Sequence, residues 1–280
     1  MSNLIKRSLS GFIFVAVVIT CILLSHLSFI LLFIIIGALA LDEFNHILED
    51  HNIAVVNNLV SQISGLFLFV AVFLCSSGIA PNYAVFAPCI LSQLYLLISE
   101  LYLKRENPLA DWAYSFAGQI YIALPFALLN LLAFPGDKGY VPLLPLSIFI
   151  FLWLNDSGAY AWGSLLHNKF PAKLFPRISP HKSWVGSIGG GITVLIAAVA
   201  IQQISHTANI WIWMGLGLII VVFGSFGDLI ESLIKRQMGM KDSGKFLPGH
   251  GGVLDRFDSA LLAIPAATIY IYSLDFNLLF

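Results

Sequence analysis

Apolar runs long enough to cross a bilayer dominate this chain and leave little freedom in what it can become. A helix needs about 20 apolar residues to span about 30 Å of hydrocarbon. That ruler marks segments at roughly 8–25, 28–46, 59–79, 83–103, 114–135, 142–166, 185–203, 209–234 and 257–275. Inside hydrocarbon each backbone N–H and C=O has to be satisfied within the protein, so segments of this length are helices. A membrane barrel would need apolar and polar residues to alternate, and these runs are unbroken. The expected fold is therefore an all-α polytopic membrane protein with about nine transmembrane helices.

Charge sets the expected orientation. With the N-terminus in the cytoplasm, every one of the 14 Lys and Arg residues except Lys138 falls on the cytoplasmic side. That is the bias of the positive-inside rule, and it puts the C-terminus on the opposite side. Charged residues make up only 10% of the chain and the net charge is -1, so there is no basic field to hold nucleic acid. Cys21, Cys75 and Cys89 are far apart and lack metal or disulfide spacing, which leaves packing as their role. The first run follows Lys6 and Arg7; with no small-residue cleavage site before the next run, it reads as a retained span rather than a signal peptide. A short chain without a targeting extension suits a bacterial inner membrane. Residues 1–140 read as transmembrane scaffold and lipid access, and residues 141–280 as the catalytic region carrying a cytoplasmic loop at 227–259.

Polar residues are densest in that loop, GDLIESLIKRQMGMKDSGKFLPGHGGVLDRFDS. Asp228, Ser232 and Lys235 are spaced i, i+4, i+7 and share a helix face, while Glu231 and Lys235 form an i, i+4 pair. An acid inside a span is costly and by default functional; the plainer alternative is that Asp228 pairs with Lys235 or Arg236 to neutralise a helix end. A loop with many glycines follows, with Lys241, Lys245 and His250. Glycines let backbone amides approach an anion, so phosphate fits here, although a basic loop obeying the positive-inside rule is the simpler reading. Asp255 and Asp258, at i, i+3, open the last span. One of them can serve as an N-cap, which leaves the second unexplained. Carboxylates on two adjoining helix ends among basic residues match hard-cation chemistry on a phosphate.

A second polar stretch begins at Asn155-Asp156-Ser157-Gly158 inside the sixth span and continues through Ser179, Lys182 and Ser183. Asp156 points to a site facing the bundle interior, and Ser179, Lys182 and Ser183 are candidate phosphate contacts. Gly186 and Gly190 form a GxxxG pattern that serves close helix packing or, alternatively, phosphate approach.

The 27 residues from Ser232 to Asp258 resemble the signature of the phosphatidate cytidylyltransferases, or CDP-diacylglycerol synthases. Asn155–Tyr160 and Ile178–Gly186 resemble two further motifs of that family. The resemblance implies transfer of the cytidylyl group of CTP to phosphatidic acid, giving CDP-diacylglycerol and pyrophosphate. It also implies Mg²⁺, with K⁺ as a second cation, and a homodimer in the membrane. Carried onto this chain, Asp228 and Asp255 match the metal-binding aspartates. Lys182, Lys235, Arg236, Lys241, His250 and Arg256 match motif positions assigned to phosphates, and Asp258 closes the catalytic set.

The chemistry is consistent with those residue types. Phosphatidate is already an anionic nucleophile, so attack on the α-phosphorus needs charge neutralisation and in-line positioning more than a strong base. Two positions depart from the family pattern: Val185 stands where an acid is usual, and Gly163-Ser164 where a Gly-Arg pair is usual. Two rival readings are a CTP-dependent membrane kinase acting on a polyprenol or phytol, and a transporter using Asp156, Asp228 and Glu231 as ion relays. The kinase would need a positioned base and would release CDP. The transporter would be expected to show internal repeats, and none is visible.

Overall fold

A computed structural model describes residues 3–244 and 251–274 of the chain. Helices α1 (Asn3–Leu24), α2 (His26–Asp50) and α3 (Asn58–Ser76) are followed by a 3-10 turn, Tyr83–Phe86, that leads into α4 (Ala87–Ser99). Then come α5 (Pro108–Gly118), α6 (Leu124–Ala133), α7 (Leu143–Leu166), strands β1 (Lys173–Phe175) and β2 (Ser179–Ser183), α8 (Trp184–Ser205), α9 (Ile210–Gln237) and α10 (Leu254–Ser273). Each apolar range marked in the sequence coincides with a helical stretch. Among the described residues, 6 are long and apolar enough to cross a membrane, while Ser10–Leu24 and Tyr83–Ser99 are shorter apolar helices. The chain is an α-helical polytopic membrane protein whose described residues also include one small antiparallel hairpin, β1–β2.

Local sequence explains the irregularities. The α5–α6 segment runs through a π-helical turn, Gln119–Ala123, just before Pro125. Proline lacks the N–H that would bond four residues back and crowds that carbonyl, and a widened turn absorbs both effects. The turn aims Gln119 at α3, where its amide donates to the Ser61 carbonyl at 2.9 Å. Ser25 caps α2 through a reciprocal box with Ser28, which makes the α1–α2 connection a single residue.

The chain divides into two compact units: Met1–Pro142 with Met240–Phe257, and Leu143–Gly239 with Asp258–Phe280. The described residues 240–244 and 251–257 are thus grouped with the N-terminal helices. In the first unit α2 buries Phe29, Phe33, Leu41, Phe44 and Leu48 along one face. A chain of aromatic contacts runs from Phe33 to Phe126, from Phe126 to Phe257 and from Phe257 to Phe14. In the second unit α7 and α8 lie against each other through small residues. A Cβ at Gly190 would stand 2.7 Å from the Asn155 carbonyl oxygen, and one at Gly186 would stand 2.8 Å from that of Ala159. The GxxxG pattern therefore serves helix packing.

Candidate active site

The second unit gathers the charged residues of α7, β2 and α9 with Asp258 of α10. Lys182, carried by β2, forms an ion pair with Asp228 in the C-terminal half of α9, the two side chains being 27% and 29% exposed. Asp228 also accepts a hydrogen bond from Ser232 Oγ at 3.2 Å. The plainer expectation, an ion pair with Lys235 or Arg236, is replaced by a partner from the hairpin. Lys235 instead reaches the almost fully buried Glu231, with Nζ 2.5 Å from Oε2. Asp258 lies within electrostatic reach of Asp228, Asp156 and Lys235. Four carboxylates, Asp156, Asp228, Glu231 and Asp258, and the ammonium groups of Lys182 and Lys235 thus share one neighbourhood.

A cavity of about 580 Å³ opens beside them. Asp156, Asp228 and Lys182 line it, together with three basic or titratable side chains that the sequence reading left aside, His167, Lys173 and His181. That volume lies in the range of small-molecule sites. Its mixed lining suits an anionic ligand accompanied by a cation. Gly163 and Ser164 also line the cavity, and the Ser164 hydroxyl turns back to the Ala161 carbonyl at 2.9 Å. Val185 and Ser179 are not among the lining residues. Ser179 sits in the β1–β2 register opposite Phe175, and Ser183 caps α8 by accepting from the Gly186 N–H at 3.2 Å. Arg236 is exposed in the last turn of α9.

The first unit holds the remaining candidates. Asp255, in the first turn of α10, accepts through Oδ2 from the Ser243 N–H and the Gly252 N–H, both at 2.9 Å. Both acids lie inside α10, so the N-cap expected of one of them is not made: Asp255 reaches back to amides that precede the helix, and Asp258 Oδ1 takes the N–H of Ser259 at 2.5 Å. Gly251 has φ +84°, and a Cβ there would run into the Asp255 carboxylate. Lys241 is exposed and Arg256 is half-buried. His250 lies outside the described residues.

One participant escaped the sequence reading. Glu43, near the end of α2, accepts from Ser243 Oγ, from the Val253 N–H at 2.7 Å and from the Leu254 N–H at 3.4 Å. The available signal was the adjacent acids Asp42 and Glu43 near the end of the second apolar run, in a connection without basic residues.

The residues can be asked whether they fit a metal. Among the described residues no three His, Cys, Asp or Glu side chains converge to hold one ion. Mg²⁺, however, is commonly bound by one or two carboxylates with waters and substrate phosphates, and the hard oxygens of Asp228 and its acidic neighbours are of that donor type.

An α-helical membrane protein with a lysine–aspartate pair on the wall of an open cavity has the equipment to handle phosphate groups at a membrane. The chain belongs to the cytidylyltransferase family, whose profile matches residues 5–274. It is 46% identical over 122 residues to a protein of Staphylococcus aureus (strain COL) named phosphatidate cytidylyltransferase, covering 43% of this chain and 46% of the relative. Proteins of the same name from Staphylococcus haemolyticus and Staphylococcus epidermidis are 44% and 42% identical over stretches of the same length. The match thus spans about half the length of the curated relatives.

Proposed function

We propose that this protein transfers the cytidylyl group of CTP to phosphatidic acid, giving CDP-diacylglycerol and pyrophosphate. The observation that carries the reading is the Lys182–Asp228 pair on the wall of the cavity, with Asp156 beside it, in a chain of the cytidylyltransferase family. A phosphate oxygen of phosphatidate attacks the α-phosphorus of CTP, a new P–O bond forms, and the bond from the α-phosphorus to the bridging oxygen breaks to release pyrophosphate. The attacking oxygen is already anionic, so no side chain has to remove a proton.

Lys182 is held by Asp228 and partly open to solvent, which leaves it able to turn toward an incoming phosphate. Lys235 keeps its charge close to the acids through Glu231. Lys173, His167 and His181 supply further donors along the cavity. Arg236, Lys241, His250, Arg256 and Ser179 are assigned to phosphate contacts on the motif alone. Asp228 and Asp255 are the carboxylates we assign to Mg²⁺, with K⁺ as a second cation. A bound divalent ion would neutralise phosphate charge, and Asp258 would add to the negative field that attracts it.

In the membrane we place nine spans, with the N-terminus and the active site facing the cytoplasm of a bacterial inner membrane and the C-terminus outside. The distribution of Lys and Arg supports this arrangement. A homodimer is the assembly we assign, to be checked by cross-linking in membranes.

The test is pyrophosphate release by the purified protein in detergent micelles. We expect release to require CTP, phosphatidic acid and Mg²⁺ together and to stop with EDTA. Release without phosphatidic acid, or none with any lipid acceptor, would contradict the assignment.

A further inference from the structure

Three backbone or hydroxyl donors, drawn from both ends of one loop, converge on a single carboxylate 200 residues earlier in the chain. Glu43 accepts from Ser243 on the entering side of the signature loop and from Val253 and Leu254 on the leaving side. All of these residues belong to the first unit. The Val253 and Leu254 N–H groups lie at the N-terminus of α10, where the first amides have no partner inside the helix and the dipole favours an anion. Gly252 is what lets the carboxylate come so close, because a Cβ at that position would collide with it. Ser243, Val253 and Leu254 are all buried, so their donors depend on a protein acceptor.

Glu43 is itself held in place. The preceding residue, Asp42, accepts from Asn58 Nδ2 at 2.6 Å and from Gln62 Nε2 at 2.9 Å, both on α3. The buried Asn45 donates to Asn58 Oδ1 at 2.9 Å. The end of α2 is thus fixed on α3, and it presents Glu43 to the loop from a rigid base.

We infer that Glu43 is a positioning residue for the reaction: it ties Ser243 to the start of α10 and thereby sets the placement of Asp255 and Arg256. This rests on the catalytic reading of the signature loop given above. Glu43 works beside a second carboxylate in the same task. Asp255 bonds the Ser243 and Gly252 amides, so each side of the loop is held from α10 and from α2.

The experiment compares Glu43→Gln and wild type as full chains by two readouts. The first is steady-state cytidylyl transfer. Hydrogen bonds to charged groups contribute enough that Glu43→Gln is expected to lower kcat about 10- to 100-fold while the KM for CTP stays within about threefold. The second is hydrogen exchange at residues 251–256, which needs no substrate. Exchange there is expected to accelerate about 10-fold or more, with α7–α9 unchanged. Wild-type kcat in Glu43→Gln overturns the inference, and so does a fall in kcat without faster exchange at 251–256. If Glu43→Gln does not fold, Gly252→Ala presses on the same carboxylate from the loop side, and wild-type exchange and turnover in that variant overturn it equally. If the wild-type protein itself transfers no cytidylyl group, the functional reading fails and the exchange arm alone decides whether Glu43 holds the loop.

Discussion

Replacing Asp228 by Asn separates the catalytic from the structural consequences of the Lys182–Asp228 pair. The two side chains are 27% and 29% exposed, so the pair is neither buried nor free, and its contribution to stability is that of a partly solvated ion pair, about 0.5–1 kcal/mol. Asn keeps the size of the side chain and an oxygen that can still accept from Ser232 Oγ, so insertion and folding should survive. What disappears is the charge. Removing one preorganised electrostatic group from an active site typically costs about 3–4 kcal/mol of transition-state stabilisation, or about 100- to 1,000-fold in turnover. The assay is label transfer from α-³²P CTP into lipid at saturating phosphatidic acid, with thermal unfolding in the same detergent as control. A companion Lys182→Met variant and the double variant complete the cycle. If both side chains act on the ligand, the double variant should fall short of the product of the two single losses, because the residues work as a unit. Turnover within about threefold of wild type in Asp228→Asn would refute the assignment of Asp228 to the cation and phosphate site.

Three further outcomes are expected. Asp255→Asn should abolish turnover and also loosen the loop, since one amide oxygen replaces a carboxylate that holds the Ser243 and Gly252 amides; faster hydrogen exchange at both positions, with the protein still inserted, is the check. Gly190→Ala should cost about 1–3 kcal/mol by overpacking α7 against α8, seen as a lower unfolding temperature, because the new Cβ meets the Asn155 carbonyl oxygen at 2.7 Å. Val185→Glu should keep or raise activity: Val185 lies in the first turn of α8, where a carboxylate favours the helix dipole, and it is not among the cavity-lining residues; complete loss of turnover would show that the valine is required.

Much of the fold was legible because its rule is local. Apolar length marks the long helices, Pro125 explains the π turn, and Ser25, Ser183 and Asn57 act as ordinary caps. Asp156, Lys182 and Asp228 were legible one by one, but side-chain pairings only where helical spacing reports them, as with Asp228 and Ser232 or Glu231 and Lys235. Lys182 and Asp228 come from a hairpin and a helix, and no spacing in sequence announces their meeting. Glu43 was harder still. Its partners lie 200 to 211 residues away, so periodicity, motif and charge pattern all pass over it, and the N-terminal half read as scaffold and lipid access. Gly186 and Gly190 left two uses open in sequence, and the close approach of α7 and α8 decides between them.

The transfer itself is tested most directly by following two labels in parallel. Purified protein is given phosphatidic acid and Mg²⁺ with CTP carrying ³²P at either the α or the γ position, and the lipid phase is counted. Cytidylyl transfer predicts that the α label enters lipid while the γ label leaves as pyrophosphate, and that both processes stop with EDTA. Entry of the γ label into lipid with release of CDP would contradict it and make the protein a lipid kinase.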